Sequence, residues 1–411
     1  MASALLLVGA IALAVGGPTV RLLGLYLAPQ AEVLIFGLAI VGAAAALAWA
    51  TEVAQLEVSR ALAFSVLALI AVLPEYAVDM YFAWRAAGDP PYAAYAAANM
   101  TGANRLLVGI GWPLVVVLAV LTARRLLPAK PEDVAEARAA LPVALPQDAR
   151  LDNAVLLGAT LYSFVLPLKG NINLIDMVVL VGLFGFYAWR VSQAARGEPE
   201  MIGPAALIAA LPRGRRRAAT IGLFLIAAAS IFLVAEPFAE ALIEAGSVLG
   251  VDRFLLVQWL APLASEAPEL IVVALLAVRG EAGLGLAALL SSRLNQWTLL
   301  VGTLPLAYSV ASGAPRALPL DAHQSEEVLL TAAQSLLAFV VLMDLRLTAR
   351  DSLLLFALFA VQFFVPALRI EVTLAYMVLA VILLIVNRGE IRRYLPSAWS
   401  RAPLSEARHE P

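Results

Sequence analysis

Apolar residues in this chain run in long blocks separated by short polar stretches, without the alternation of half-buried strands or soluble amphipathic helices. A helix needs about 20 apolar residues to cross the hydrocarbon of a bilayer. On that rule the pattern predicts spans near 2–17, 31–50, 57–84, 93–122, 152–168 and 172–190. After a polar stretch it predicts six more, near 217–235, 252–278, 283–312, 326–345, 351–366 and 371–387. The third, fourth, eighth and ninth are too long for simple crossings and carry Pro, Gly, Asn or Ser inside, which predicts broken or tilted helices. The expected fold is therefore an all-α polytopic membrane protein of about 12 transmembrane helices.

Composition sharpens this. Of 411 residues, 62% are hydrophobic and 14% charged, with a mean hydropathy of +0.89, where soluble domains carry about 25% charged residues. The absence of cysteine excludes disulfides, thiolate metal sites and cysteine nucleophiles. His323 and His409 both fall in polar connecting or terminal segments, which leaves little from which to build a haem, a zinc site or a histidine-based intramembrane enzyme. No resident cofactor and no nucleic-acid partner is expected. The lipid bilayer is the first partner expected. The opening MASALLLVGAIALAVGG lacks a basic region before its apolar core, so it reads as a first span and not as a cleaved signal.

Basic residues set the orientation. With twelve spans, 20 Lys and Arg fall on the side of both termini and 6 on the other, while Arg105 and Arg293 lie at membrane depth. Both termini are thus expected in the cytoplasm. The Arg-dominated, Ala/Leu-rich composition suits a prokaryotic inner membrane. The run RGRRR (213–217) reads as a topology determinant.

The chemistry sits inside the apolar blocks. Residues 71–84 read AVLPEYAVDMYFAW and residues 261–275 read APLASEAPELIVVAL, so a Pro-Glu pair recurs at Pro74–Glu75 and Pro268–Glu269. Each is followed by a helix with a small and polar centre, AAANMTGANRLLVGIGWP in one half and AALLSSRLNQWTLLVGTLP in the other. Each is preceded by an acid, Glu52 in WATEV and Glu236 in VAEPF. Five spans separate equivalent points, and an odd number turns the second copy upside down. Inverted five-helix repeats with discontinuous helices at the midplane are a mark of secondary transporters. The organisation expected is an extra helix at 1–30, a first repeat at 31–192, a basic linker at 193–216, a second repeat at 217–366, and an extra helix and tail at 367–411.

A proline in a helix frees a backbone carbonyl one turn back. Two carboxylates, Glu75 and Glu269, with freed carbonyls and amide oxygens make a hard-oxygen cage suited to Ca2+ or a similar cation. Two like charges in low dielectric stay ionised only with a cation or protons between them, and alternation between the two is the logic of an antiporter. Glu266 and Ser265 join this site, or Glu266 is taken up in an ion pair. Asn99, Asn104, Ser292 and Gln296 are candidate ligands, although amides also hold membrane helices together. Asp79, one turn beyond Glu75, is either a cation-attracting mouth residue or a solvated helix end. Glu52 and Glu236 relay protons or line the vestibules, or are ordinary interfacial acids. Tyr76, Tyr81, Trp84 and Trp112 read as packing and interface anchors.

At these residues the chain resembles the calcium/cation antiporter superfamily, whose two inverted repeats each carry an acidic motif on one helix and a GSN-like motif on the next. The resemblance covers roughly residues 31–366, and the spacing of Thr51–Glu52 ahead of Glu75 looks most like the cation/proton exchanger branch. It implies metal binding by Glu75 and Glu269, with Asn104 and, more loosely, Ser292 and Gln296 on the facing helices. The chain departs from the family in having Ala71, Val72 and Leu73 before the first glutamate, an additional acid in Glu266, and Arg105 and Arg293 beside the polar positions. Those arginines are expected to tune the site's charge, Arg293 as a partner of Glu266 or Glu269 and Arg105 as a partner of Glu52 or of a lipid headgroup. The function implied is exchange of Ca2+ or another cation for H+ or Na+. Exchange of Na+ for H+ on the same fold, a membrane-embedded enzyme using the carboxylates as acid and base, and a non-transporting sensor or scaffold are the alternatives.

Overall fold

The computed structural model describes residues 2–56, 73–126, 142–193, 201, 203–250 and 252–389. The first half of the predicted third span, with its break ahead of Pro74, lies outside them, as do much of the first polar connection and the C-terminal tail with His409. The chain is an integral membrane protein, and its described residues are mostly helical. Seven described helices are long and apolar enough to cross a membrane, eight if one bent helix is added. That bent helix, Arg253–Val278, turns by 56° at Pro268, where the missing N–H interrupts the ladder.

Close packing groups the residues into two compact units, 1–99 with 188–269 and 100–187 with 270–411. The first unit is built on α1 (Ala2–Leu22), α2 (Pro29–Ala54), α3 (Leu73–Arg85) and the start of α4 (Tyr92–Leu106). The short α9 (Pro204–Ala209), α10 (Arg213–Leu249) and the first part of α11 (Arg253–Val278) complete it. Helix α10 continues past the span expected to end near 235, through Pro237, for 37 residues. Lipid is as apolar as leucine, so contact surface and buried polar bonds hold these helices together. Small residues make that contact close. Ala14, Ala43, Ala46, Ala50 and Ala227 share one buried cluster with Leu47 and Ile231. A Cβ at Gly42 would fall 2.5 Å from the carbonyl oxygen of Ala10, so only glycine lets α2 press against α1. The Ser230 hydroxyl donates to the Ala14 carbonyl at 2.7 Å across the same cluster.

The second unit contains the end of α4, α5 (Trp112–Leu126), α6 (Ala149–Ser163), α7 (Val165–Lys169) and most of α8 (Leu174–Ser192). The remainder of α11 follows, then α12 (Ala282–Asn295), α13 (Val301–Ala311), α14 (Ala322–Val341), α15 (Ala349–Phe364) and α16 (Arg369–Val386). One π-helical turn, Leu107–Gly111, joins α4 to α5 and another, Gln296–Leu300, joins α12 to α13. Two-residue strands pair antiparallel. β1 (Val143–Ala144) pairs with β4 (Arg346–Leu347), and β2 (Asn171–Ile172) with β3 (Leu318–Pro319). Side-chain bonds cross the unit: Trp297 Nε1 donates to Ser163 Oγ at 3.2 Å, and the Tyr187 and Ser291 hydroxyls lie 3.0 Å apart. Helix α14 starts on a capping box in which Asp321 and Gln324 exchange bonds with each other's backbone N–H.

Gly109 lies in the first π turn, where an added Cβ would meet the Phe359 ring at 2.1 Å. Gly109→Ala is therefore expected to lower stability in detergent by about 1–3 kcal/mol through overpacking. Gly182→Ala, with nothing within 4 Å, is the matched control and is expected to leave the thermal melt unchanged or raised.

Candidate functional site

Two helices of the first unit supply the central acids. Glu75 stands in the first turn of α3, and Glu266 and Glu269 stand one turn apart on α11 at its bend. One carboxylate oxygen from each of the three lies within 4.8 Å of the others. Glu75 is 6% and Glu266 1% exposed. Each pair of charges at that distance would repel by about 3–4 kcal/mol even at an effective dielectric constant of 20. Three carboxylates therefore cannot remain together ionised unless a cation or protons share the space. Glu266 interacts with both Glu75 and Glu269, and a hydrogen bond between any two of these carboxyl groups would require a proton on one of them. The spacing also fits a metal ion. Two oxygens about 2.4 Å from a Ca2+ are at most about 4.8 Å apart. Glu266, which the Pro-Glu repeat alone does not single out, is as much a part of the cluster as the repeated pair.

The other predicted residues of this unit fall around it in different ways. Asp79 is fully buried, so it is no solvated helix end. Among the described residues its oxygens form no hydrogen bond of normal geometry, and Asn99, 2% exposed, is the side chain that interacts with it. The Ser265 hydroxyl is spent on its own helix, donating toward the Ala261 and Pro262 carbonyls at 3.3 and 3.2 Å. Glu52 is half-buried at the end of α2. Glu236 is exposed and pairs with Arg21 at 2.7 Å. One turn further along α10, Glu240 was not singled out by sequence, yet it accepts from the Tyr81 hydroxyl and, at 2.6 Å, from the Tyr92 hydroxyl. Tyr81 is thus a hydrogen-bonded residue at this acid and more than a packing anchor, while Trp84 is 52% exposed as an interface residue would be.

In the second unit Asn104 and Gln296 are fully buried, and Ser292 is half-buried. Asn104 donates to the Met100 carbonyl at 3.0 Å. Arg105 corrects the expectation that it meets Glu52 or a lipid headgroup. Its guanidinium pairs with Glu327 at 2.5 Å and donates to Gln362 at 2.7 Å, and both charged groups are buried. Glu327 also accepts from Arg369 at 2.6 Å, and Arg369 reaches Glu326 at 2.8 Å. The pairing joins α4, α14, α15 and α16, far apart in sequence. The one signal for it was that an arginine at membrane depth requires a carboxylate somewhere. Arg293 corrects the expectation of a carboxylate partner, since it forms no ion pair among the described residues. It donates to Ser335 at 2.5 Å and lies 5.8 Å from the Trp112 ring centre.

A family model described as sodium/calcium exchanger protein matches residues 31–193 and 219–368. Among solved structures, the H+/Ca2+ exchanger CAX is 40% identical, with a TM-score of 0.88 over 96% of this chain and 97% of its own. The Ca2+/H+ antiporter YfkE, at 13% identity, has a TM-score of 0.60 over 88% of this chain and 98% of its own. The sodium-calcium exchanger NCX_Mj, at 16% identity, has a TM-score of 0.52 over 82% of this chain and 98% of its own. These last two share the fold. No curated protein matches the chain significantly. The family match over most of the chain, together with 40% identity across nearly the whole of a solved exchanger, shows that this protein belongs to the sodium/calcium exchanger family of membrane cation antiporters.

Proposed function

We propose that the protein exchanges Ca2+ for protons across the membrane by alternating access, with Glu75, Glu266 and Glu269 as the groups that hold either ion. The cluster of three carboxylates within 4.8 Å carries this reading. Its oxygens suit a hard divalent cation, and removing the cation forces protons onto the same oxygens. Exchange follows from that competition, because one site cannot hold both loads. The identity to an H+/Ca2+ exchanger supports calcium and protons as the pair. Asp79, buried one turn beyond Glu75 and facing Asn99, is the group through which protons reach the cluster. Glu52 lines a vestibule, while Glu236 serves an interfacial ion pair with Arg21. Asn104, Ser292 and Gln296 supply polar oxygens within the second unit.

The architecture in this proposal is twelve spans in all, ten of them in two inverted five-helix repeats and one extra at each end, with both termini in the cytoplasm of a prokaryotic cell. The strand pairs support the repeat. β1 precedes α6 as β3 precedes α14, and β2 follows α7 as β4 follows α14. The pairing β1–β4 and β2–β3 crosses between the halves, as a two-fold relation requires. The two π turns, each following a polar helix segment, recur in the same sense, and such turns are frequent at functional sites.

The test is uptake of radioactive calcium into proteoliposomes with an acidic lumen. Uptake is expected to depend on the proton gradient and to stop when an ionophore collapses it. Apparent calcium affinity is expected to fall with falling pH, by up to about tenfold per unit for each proton displaced. Sodium flux without calcium flux would overturn the choice of ion, and no flux in folded protein would overturn the reading.

A further inference from the structure

We propose that the second unit contains a binding site for a small monovalent anion of the halide class, centred on the guanidinium of Arg293. Four side chains build it, from α12, α5, α14 and α16. Arg293, Trp112, Gln334 and Tyr376 are all fully buried. Arg293 lies over the Trp112 ring and bonds Ser335, the neighbour of Gln334 on α14. Tyr376 interacts with both Gln334 and Arg293.

Donors outnumber acceptors among these groups. Among the described residues, Arg293 Nε and Nη1, Trp112 Nε1, Gln334 Nε2 and the Tyr376 hydroxyl are buried without a hydrogen bond of normal geometry. Four of these five atoms can only donate. The one acceptor among the unsatisfied atoms of the same four side chains, besides the Tyr376 oxygen, is Gln334 Oε1. A water molecule would bring two acceptor lone pairs, but with them two further donors and no charge. An anion brings acceptors and a negative charge together.

The charge balance points the same way. Arg105 is neutralised by Glu327, and Arg369 by Glu326 and Glu327. Arg293 has Ser335 and an indole face. The attraction of a ring for a guanidinium is smaller than the penalty of taking that ion out of water. A halide held by Arg293 would remove the excess charge, as a carboxylate does for Arg105. The site is separate from the carboxylate cluster in its residues and in the sign of its ligand.

The experiment is diffraction from crystals grown in sodium bromide, recorded at the bromine absorption edge. It is combined with thermal melts of detergent-solubilised protein in chloride and in gluconate at equal ionic strength. The expected results are an anomalous peak hydrogen-bonded to Arg293 and a melting temperature higher in chloride by about 2–4 °C. Arg293→Gln is expected to lose that difference. Gln334→Leu, which keeps the charge and removes one donor, is expected to reduce it and serves if the first variant does not fold. Bromide peaks confined to the outer surface, or none, would overturn the site. So would melts that are identical in the two salts.

Discussion

Glu269→Gln is expected to lower proton-driven calcium uptake into proteoliposomes by about a hundredfold or more, with the folded yield and thermal melt of the protein preserved. Glutamine keeps the size of the side chain and one of its oxygens, so packing at the bend of α11 is retained. It removes the negative charge and the ability to exchange a cation for a proton. A loss of about 3 kcal/mol in the binding of a divalent ion, the upper range for a charge-assisted contact, corresponds to roughly two orders of magnitude. Glu75→Gln is expected to behave alike, because its carboxylate lies in the same cluster. Glu266→Gln separates two roles. If Glu266 is a ligand, it joins the other two in losing uptake. If it only neutralises its neighbours, calcium uptake survives with a changed pH profile. Normal transport in both Glu75→Gln and Glu269→Gln would remove the cluster from the mechanism.

Glu327→Gln is expected to cost about 3–5 kcal/mol of stability, the usual effect of leaving a buried charge without its partner. Its carboxylate neutralises Arg105 on one side and Arg369 on the other. Arg105→Gln is expected to cost less, since Glu327 then keeps Arg369. The order of the two effects is the informative result, and thermal melts in detergent give it directly. Equal costs would mean that Arg369 contributes nothing at Glu327. A still milder Glu327 variant would mean that water already screens the pair.

The patterns that predicted membrane helices and the acids inside them were local. Long apolar blocks identify membrane helices because each span satisfies its own backbone hydrogen bonds and needs no partner to do so. The recurrence of Pro-Glu led to Glu75 and Glu269 for a related reason. A carboxylate at membrane depth is costly enough that it stands out as a candidate by itself. Glu266 stood one turn away on the same helix and was legible as an additional acid, though not as an equal member of the cluster. Asp79 illustrates the limit. Its position one turn beyond Glu75 was readable, but only the packing around α3 decided that it is buried and not solvated.

The arginines show what the chain order hides. Arg105 lies on α4, while Glu327, Gln362 and Arg369 come from three helices much later in the sequence. Glu327 and Arg369 open their helices, where a charged residue looks like an ordinary boundary. Glu240 is similar: it lies on α10 and gathers tyrosines from α3 and α4.

By itself, then, the sequence determined that the chain is a helical membrane protein with acids where lipid would forbid them, because hydropathy and the cost of a buried charge act within a single helix. Which of those charges meet, that a third carboxylate completes the cluster, and that Arg105 finds a carboxylate while Arg293, among the described residues, finds Ser335 and an indole face instead, were decided only by the tertiary structure. Pairing in a low dielectric depends on distances of a few ångströms between helices, and spacing along one chain does not encode them.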